Sequence, residues 1–253
     1  MIGIFDSGCG GLTVLKAIRE RFPDSDVVYF GDTKNAPYGI KSREELTMLT
    51  SQAITTLQER GATHLVSACN SLSASLALSL LDEVSVSPER LIEMVGPTVS
   101  AFRESGARVL VCATPATIDS EIYQNAFMMI GKEITAVSIP ELAGAIEKGE
   151  SVDVIEDSIR RAFEGIDPEL FDVLILACTH YPLVEEMFRN LLGDSILIVD
   201  PSELVTDRVE REFSELSEGQ GTTTFLLSAD SSVFREFVSD FFPGGAHTIQ
   251  VIE

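Results

Sequence analysis

The chain is short of positive charge. Its 18 lysines and arginines stand against 40 acidic residues, a formal net charge of −22, and only five of the bases are lysine. Phosphate contacts need a basic face, so this balance argues against nucleic acid as a partner. It leaves room for a small acidic ligand in a locally positive pocket, and the acidity itself reads as a solvated surface. Long apolar runs are missing too. None approaches the roughly 20 residues of a membrane span. An apolar strand pattern already starts at Ile2, which leaves no space for a signal peptide, and a cytoplasmic location is expected. Cysteine is scarce, four in 253 residues with no close-spaced pair. That pattern argues against a disulfide scaffold and against a spaced zinc site. Low-complexity segments are absent as well.

What is present is apolar and ordered. Hydrophobic residues make up 45 %, and the length suits one large or two modest domains. One stretch organises the rest, Asp172–Ala177 followed by Cys178-Thr179-His180-Tyr181-Pro182-Leu183-Val184. The unbroken apolar run predicts a buried strand. Pro182 suits a first helical turn, Glu185 and Glu186 favour its start, and Gly193 can close it. Cys178, Thr179 and His180 then sit between a strand's carboxyl end and a helix's amino end, where open α/β sheets bind ligands.

The pattern occurs once before. His64–Ala68 leads to Cys69-Asn70-Ser71 and a predicted helix carrying Leu72, Leu76 and Leu80, and the two cysteines lie 109 positions apart. Ile2–Phe5 ending in Asp6-Ser7, and Val109–Ala113 ending in Thr114-Pro115-Ala116-Thr117, repeat at nearly that offset. Two pairs at one offset predict two related halves, each presenting one thiol. A lone buried cysteine reads as a small core hydrophobe; twin placement at turns does not.

Between these, Asp6-Ser7-Gly8-Cys9-Gly10-Gly11 precedes a helix ended by Pro23. Thr13 stands where a dinucleotide motif wants a third glycine, and no Gly-Lys-Ser/Thr follows. The glycines are expected to let backbone N–H groups approach a small carboxylate. Val27–Phe30 is a second strand, and a loop through Pro37-Tyr38-Gly39 follows. Ser42 and Glu45 form a capping-box pattern for a helix to about Gly61. Further strands are expected at Leu91–Val95, Val109–Ala113, Ile134–Val137, Asp172–Ala177 and Ile196–Val199. A short helix is expected over Glu141–Glu147 and a long one over Ser202–Leu216. Glu218–Gly221 is the candidate linker before a strand, a helix and a last strand. The alternation indicates an α/β fold with mostly parallel sheets and helical crossovers.

Two thiols facing each other suit stereoinversion at an acidic carbon. One thiolate removes a proton from one face and the other, as a thiol, returns one to the opposite face. Asp6 near Cys69 and His180 beside Cys178 could assist. Asn70, Ser71, Thr179, Thr114 and Thr117 offer donors to carboxylates. No lysine lies at these turns to anchor a pyridoxal cofactor, so a cofactor-independent, metal-free reaction is expected. A Cys178–His180 nucleophile pair would leave the second cysteine unexplained. His64 and His247 are each expected to be structural or surface rather than catalytic, Cys112 core, and Cys9 first a loop residue, one that could be near the site.

At these residues the sequence resembles the glutamate racemases of the aspartate/glutamate racemase superfamily. The resemblance is carried by Ile2–Gly8, Gly10–Val14, Asp32-Thr33, Pro37-Tyr38-Gly39, Ala68-Cys69-Asn70, Thr114 with Thr117, and Cys178–Leu183, in the family's order. It implies two-base racemisation supplying D-glutamate for peptidoglycan. Cys69 and Cys178 would be the catalytic thiols, with Cys69 deprotonating the D-form, and Asp6, His180 and Glu147 the assisting groups. Asp6, Ser7, Pro37, Tyr38, Gly39, Asn70, Ser71, Thr114, Thr117, Thr179 and His180 would hold substrate. The implied architecture is two similar, pseudo-symmetric α/β domains, 1–92 with 207–253 and 93–206, with the site in the cleft between them and a homodimeric assembly.

The sequence departs from that pattern at four places. Ser71 stands for a usual threonine, and Leu72 for a usual alanine, adding bulk near the pocket. Cys9 stands for an aliphatic residue, and Val95 for an acidic residue before Gly96-Pro97. Leu72 motivates an alternative substrate, aspartate or another amino acid. The altered 69–72 stretch and the charge motivate a catalytically silent ligand-binding homologue. Some relatives carry an amino-terminal extension for control by a cell-wall precursor; because this chain starts at the first strand, that control is expected to be absent.

Overall fold

The computed structural model describes residues 1–76, 78–216 and 218–252. Their strands are β1 (Ile2–Asp6), β2 (Val27–Gly31), β3 (His64–Ser67), β4 (Leu91–Ile92), β5 (Val109–Ala113), β6 (Ile134–Ser138), β7 (Val173–Ala177), β8 (Leu197–Val199), β9 (Thr223–Leu227) and β10 (His247–Val251). They form two sheets, ordered β10-β9-β2-β1-β3-β4 and β6-β5-β7-β8. Every pairing is parallel. The order β2-β1-β3-β4 recurs as β6-β5-β7-β8, so the two halves signalled by the 109-residue offset share one topology.

Both faces of each sheet are covered. In the first, Ile2, Ile4 and Tyr29 pack on one side with Leu12, Leu15 and Phe225, while Phe5, Val28 and Phe30 pack on the other with Leu49, Ile54 and Leu57. In the second, Leu110, Cys112, Leu174 and Leu176 face one core and Val109, Val111, Ala113 and Ile175 the other. Successive residues of a strand point to opposite faces, so burial on both sides demands unbroken apolar runs. Cys112 is core, as expected.

Ser42 and Glu45 make the reciprocal capping box, and their helix runs Arg43–Glu59. Three expectations are corrected. β4 stops at Ile92, short of Val95, because the Glu93 carboxylate accepts the Val95 and Gly96 N–H groups (2.6 and 2.5 Å). That caps a helix over Val95–Ala101, so the turn takes its acid from Glu93. The single helix expected after Cys69 is two, Asn70–Ser73 and Leu78–Glu83. Ser75 donates to the Leu72 carbonyl (2.7 Å), a local bond that competes with a continuing helix. Glu218–Gly221 is no free linker: the Gln220 and Thr222 N–H groups donate to Asp26 and that of Gly221 to the Asp24 carbonyl.

The helix Pro201–Glu212 runs unbroken through residue 207. Its Val205 and Val209 lie in the core of the first sheet. The His64 ring meets Phe213 edge-on and pairs with Glu215, and the His247 ring meets Phe225 edge-on; these are packing contacts, in keeping with a structural or surface place. No helix among the described residues is long and apolar enough to cross a membrane.

Candidate active site

In each sheet the chain runs outward in one direction from its first strand and then in the other. The order therefore reverses between β1 and β3, and again between β5 and β7. Ligands of such sheets bind beyond the carboxyl ends of the strands at that reversal. Asp6 ends β1 and Cys69 follows β3; Thr114 follows β5 and Cys178 follows β7. The two reversal points face each other. Both thiols, 6 and 7 % exposed, line one cavity together with Ser7, Pro37, Tyr38, Gly39, Asn70, Ser71, Thr114, Ala143, Thr179 and His180. The free space among them is only about 10 Å³, room for about one water.

The polar wall is ordered from behind. Ser71 Oγ lies 2.9 Å from Thr114 Oγ1 and 3.4 Å from Thr117 Oγ1. Tyr123 donates to Asn70 Oδ1 (2.7 Å), and the buried Asn70 Nδ2 has no partner among the described residues. Tyr38 donates to Asp32 (2.5 Å), and Asn35 and Ser228 hold the same carboxylate.

A second cluster joins the halves. His180 Nε2 lies 2.6 Å from Glu147 Oε2, and both side chains are almost fully buried. The same oxygen accepts the Cys9 N–H (3.0 Å) and S–H (3.1 Å). His180 Nδ1 faces Cys178 Sγ at 3.9 Å. Burial opposes charge on the ring, but its bonds to Cys178, Cys9 and Glu147 outweigh that and hold His180 well above the ordinary histidine range. Burial likewise opposes a charged Glu147, yet His180 and the Cys9 N–H keep it below the usual carboxylate range. Burial pushes the Cys9 thiol up to about 12. Cys69 is raised well above an ordinary thiol by burial and by the nearby Asp6 and Cys178. It is therefore a neutral thiol at rest, able to donate a proton.

Asp6 is raised by burial, against the pull of His180 and the Gly11 and Gly8 N–H groups. Its Oδ2 accepts both N–H groups at 3.0 Å and its Oδ1 accepts Thr179 at 3.4 Å. The carboxylate met by the glycine loop is thus the protein's own. Asp6, Thr117 and Glu147 do not line the cavity; each lies within hydrogen-bond distance of a residue that does, Asp6 of Thr179, Thr117 of Thr114 and Glu147 of His180. The loop glycines have a further reason: a Cβ on Gly10 would lie 2.5 Å from His180 Nδ1 and 2.8 Å from Thr179 Oγ1, and one on Gly8 would strike Glu147. Leu72 is fully buried in the first sheet's core and does not line the cavity, so its bulk does not narrow the pocket.

Cys9 lies on the first loop and near the site, as expected, and is a buried partner of Glu147. Ala143, Asp32 and Tyr123 were not singled out by role. Tyr123 and Ala143 carry no local signal, whereas Asp32 lay inside the polar loop. Among the described residues, Cys9, Glu147 and His180 form the only group whose ligand atoms, all within 4.8 Å of one another, could share a metal ion.

The family described as Asp/Glu/hydantoin racemase matches residues 10–209. The chain belongs to that family. Among its racemase relatives, the glutamate racemase of Lactobacillus helveticus is 36 % identical over 245 residues, covering 93 % of this chain and 90 % of the relative. The crystal structure of a glutamate racemase isoform from Bacillus anthracis superposes with a TM-score of 0.87 at 25 % identity, covering 100 % of this chain and 97 % of that one. The glutamate racemase of Francisella tularensis in complex with D-glutamate gives 0.86 at 27 % identity, with the same coverage. This racemase fold thus matches theirs from end to end.

Proposed function

We propose that this protein interconverts L- and D-glutamate by moving the α-proton between Cys69 and Cys178. The observation that carries the reading is the single cavity into which two mirrored strand reversals each deliver a thiol. The cavity as it stands holds about one water, so the two reversal points must part to admit glutamate; with Cα then between the sulfurs, one thiolate takes the proton from one face and the opposite thiol returns another. The roles reverse for the other enantiomer. Cys69, held neutral, is the acid of the resting state. The His180 ring faces the Cys178 sulfur at 3.9 Å, and its bonds to Cys178, Cys9 and Glu147 favour the charged ring. Ser7, Asn70, Ser71, Thr114 and Thr179 surround the cavity with donors for two carboxylates. The unpartnered Asn70 amide is the donor most clearly left for a ligand. Asp6 orders Thr179 and the 8–11 loop from behind.

On this reading the enzyme is an isomerase that works in the cytoplasm as a homodimer, supplying D-glutamate to peptidoglycan synthesis. Residues 1–92 with 207–253 are taken as one domain and 93–206 as the other, with the helix Pro201–Glu212 crossing the boundary between them. Loss of optical rotation of L-glutamate, with reduced protein and no added cofactor, tests the reaction. Cys69→Ser and Cys178→Ser should each slow it by about 10²-fold or more. Full activity in either variant would sink the two-thiol mechanism, and a flat trace with folded wild-type protein would sink glutamate as substrate.

A further inference from the structure

Cys9, Glu147 and His180 come from three separate turns, and no spacing in the sequence joins them. The fold brings one ligand atom of each, Sγ, a carboxylate oxygen and a ring nitrogen, within 4.8 Å of one another. Glu147 Oε2 is the hub, 3.1 Å from Cys9 Sγ and 2.6 Å from His180 Nε2. Cys9 is fully buried and the other two nearly so. We propose that this trio is a binding site for a borderline-soft divalent cation, Zn²⁺ or Cd²⁺.

The donor set selects the ion. One thiolate, one imidazole and one carboxylate suit zinc and its heavier congener, whereas magnesium and calcium want oxygen alone. Charge balances. A thiolate and a carboxylate neutralise the dication, which is the condition for burying it. Binding releases the Cys9 S–H proton and the His180 Nε2 proton to solvent. The fit is close. Bonds of about 2.3 Å to sulfur and about 2.0–2.1 Å to nitrogen and oxygen put tetrahedral ligand atoms roughly 3.2–3.6 Å apart. To reach that spacing Glu147 Oε2 must move away from Cys9 Sγ and from His180 Nε2 by less than about 1 Å each. Three protein ligands leave a fourth position open. The ion takes Nε2 and the carboxylate, while Nδ1 stays toward Cys178. On the reading of the preceding subsection, it therefore breaks the Glu147–His180 bond and inhibits.

Titration of the reduced, chelator-treated protein with Cd²⁺, followed by the thiolate-to-cadmium charge-transfer absorption, tests the site. Cys69 and Cys178 could bind cadmium by themselves, so the decisive variant is the Cys69→Ser/Cys178→Ser pair. It should keep a one-thiolate band at one equivalent. Cys9→Ala in that background should weaken binding by about 10²-fold or more, and Glu147→Gln should weaken it too, which serves if the Cys9 variant does not fold. A double variant without the band, or affinity unchanged by Cys9→Ala, would overturn the proposal. Binding without Zn²⁺ inhibition of the wild type would count against the catalytic role of the Glu147–His180 pair and leave the metal site standing.

Discussion

Glu147 and His180 are the two groups whose ionisation is most tightly bound to the fold. Each is buried, and each charge is favoured by the other together with Cys9 and, for His180, Cys178. Glu147 is held below its unfolded value of 4.5, so its contribution to stability is present above about pH 4.5 and is lost as pH falls through the lower folded value. His180 is held well above its unfolded value of 6.5, so its contribution is complete below about pH 6.5 and is lost as pH rises through the higher folded value. The pair therefore stabilises most between these limits. His180→Asn leaves a buried, uncompensated carboxylate and should cost about 3 kcal/mol or more. In urea unfolding, the difference from wild type should be largest between pH 4.5 and 6.5 and shrink on both sides. A difference that does not vary with pH would show that the pair is not ionised in the folded protein.

At the scale of elements, the loop from Ser7 to Gly11 ties one half of the molecule to the other. Its fit explains a glycine that motif reading leaves ambiguous. Gly10 has an ordinary backbone conformation that alanine can adopt, but its methyl would displace His180 and Thr179. Gly10→Ala should therefore cut turnover by about 10²-fold, the scale of an ångström's misplacement at a reacting centre. It should shift the thermal midpoint by only a few degrees. Retained activity would mean that the halves sit further apart during turnover than they do in this arrangement.

Such contacts mark the limit of what a sequence shows. The capping box at Ser42 and Glu45, the four central strands and both thiol turns depend on neighbours in the chain, and all were legible. So was the mirrored topology, through the offset of the cysteines. The helix after Cys69 was misread because apolar spacing is blind to serines that bond their own backbone. β4 was overextended because Glu93 reads as one more polar residue until its carboxylate is seen on the next helix. Cys9 meets Glu147 across 138 positions, and no local pattern encodes that meeting. The positions of Asp6 and Glu147 behind the wall were hidden for the same reason, since type and order do not reveal depth.

The molecule as a whole carries a charge of −22, and its proposed substrate is an anion. The two facts oppose each other. A field of that sign lowers the local concentration of glutamate around the protein, unless local positive charge overrides it. Lys34, Lys41 and Arg43 flank the Pro37–Gly39 wall of the cavity. They are three of the chain's 18 bases, set among 40 acidic residues spread along the whole sequence, and the reach of those acids depends on the Debye length. That length is about 30 Å at 0.01 M and about 10 Å at 0.1 M. At low salt the whole surface therefore repels the substrate, and at moderate salt only the neighbourhood of the cleft is felt. Raising sodium chloride from about 0.01 to about 0.1 M should increase kcat/KM for glutamate several-fold, with a smaller effect on kcat, which is measured after binding. A second salt of different anion should give the same slope, separating screening from occupation of the carboxylate site. A fall in kcat/KM with both salts would mean that the three bases dominate the field at the mouth. Lys41→Gln and Arg43→Gln should then flatten that fall; under net repulsion by the whole surface they should steepen the rise.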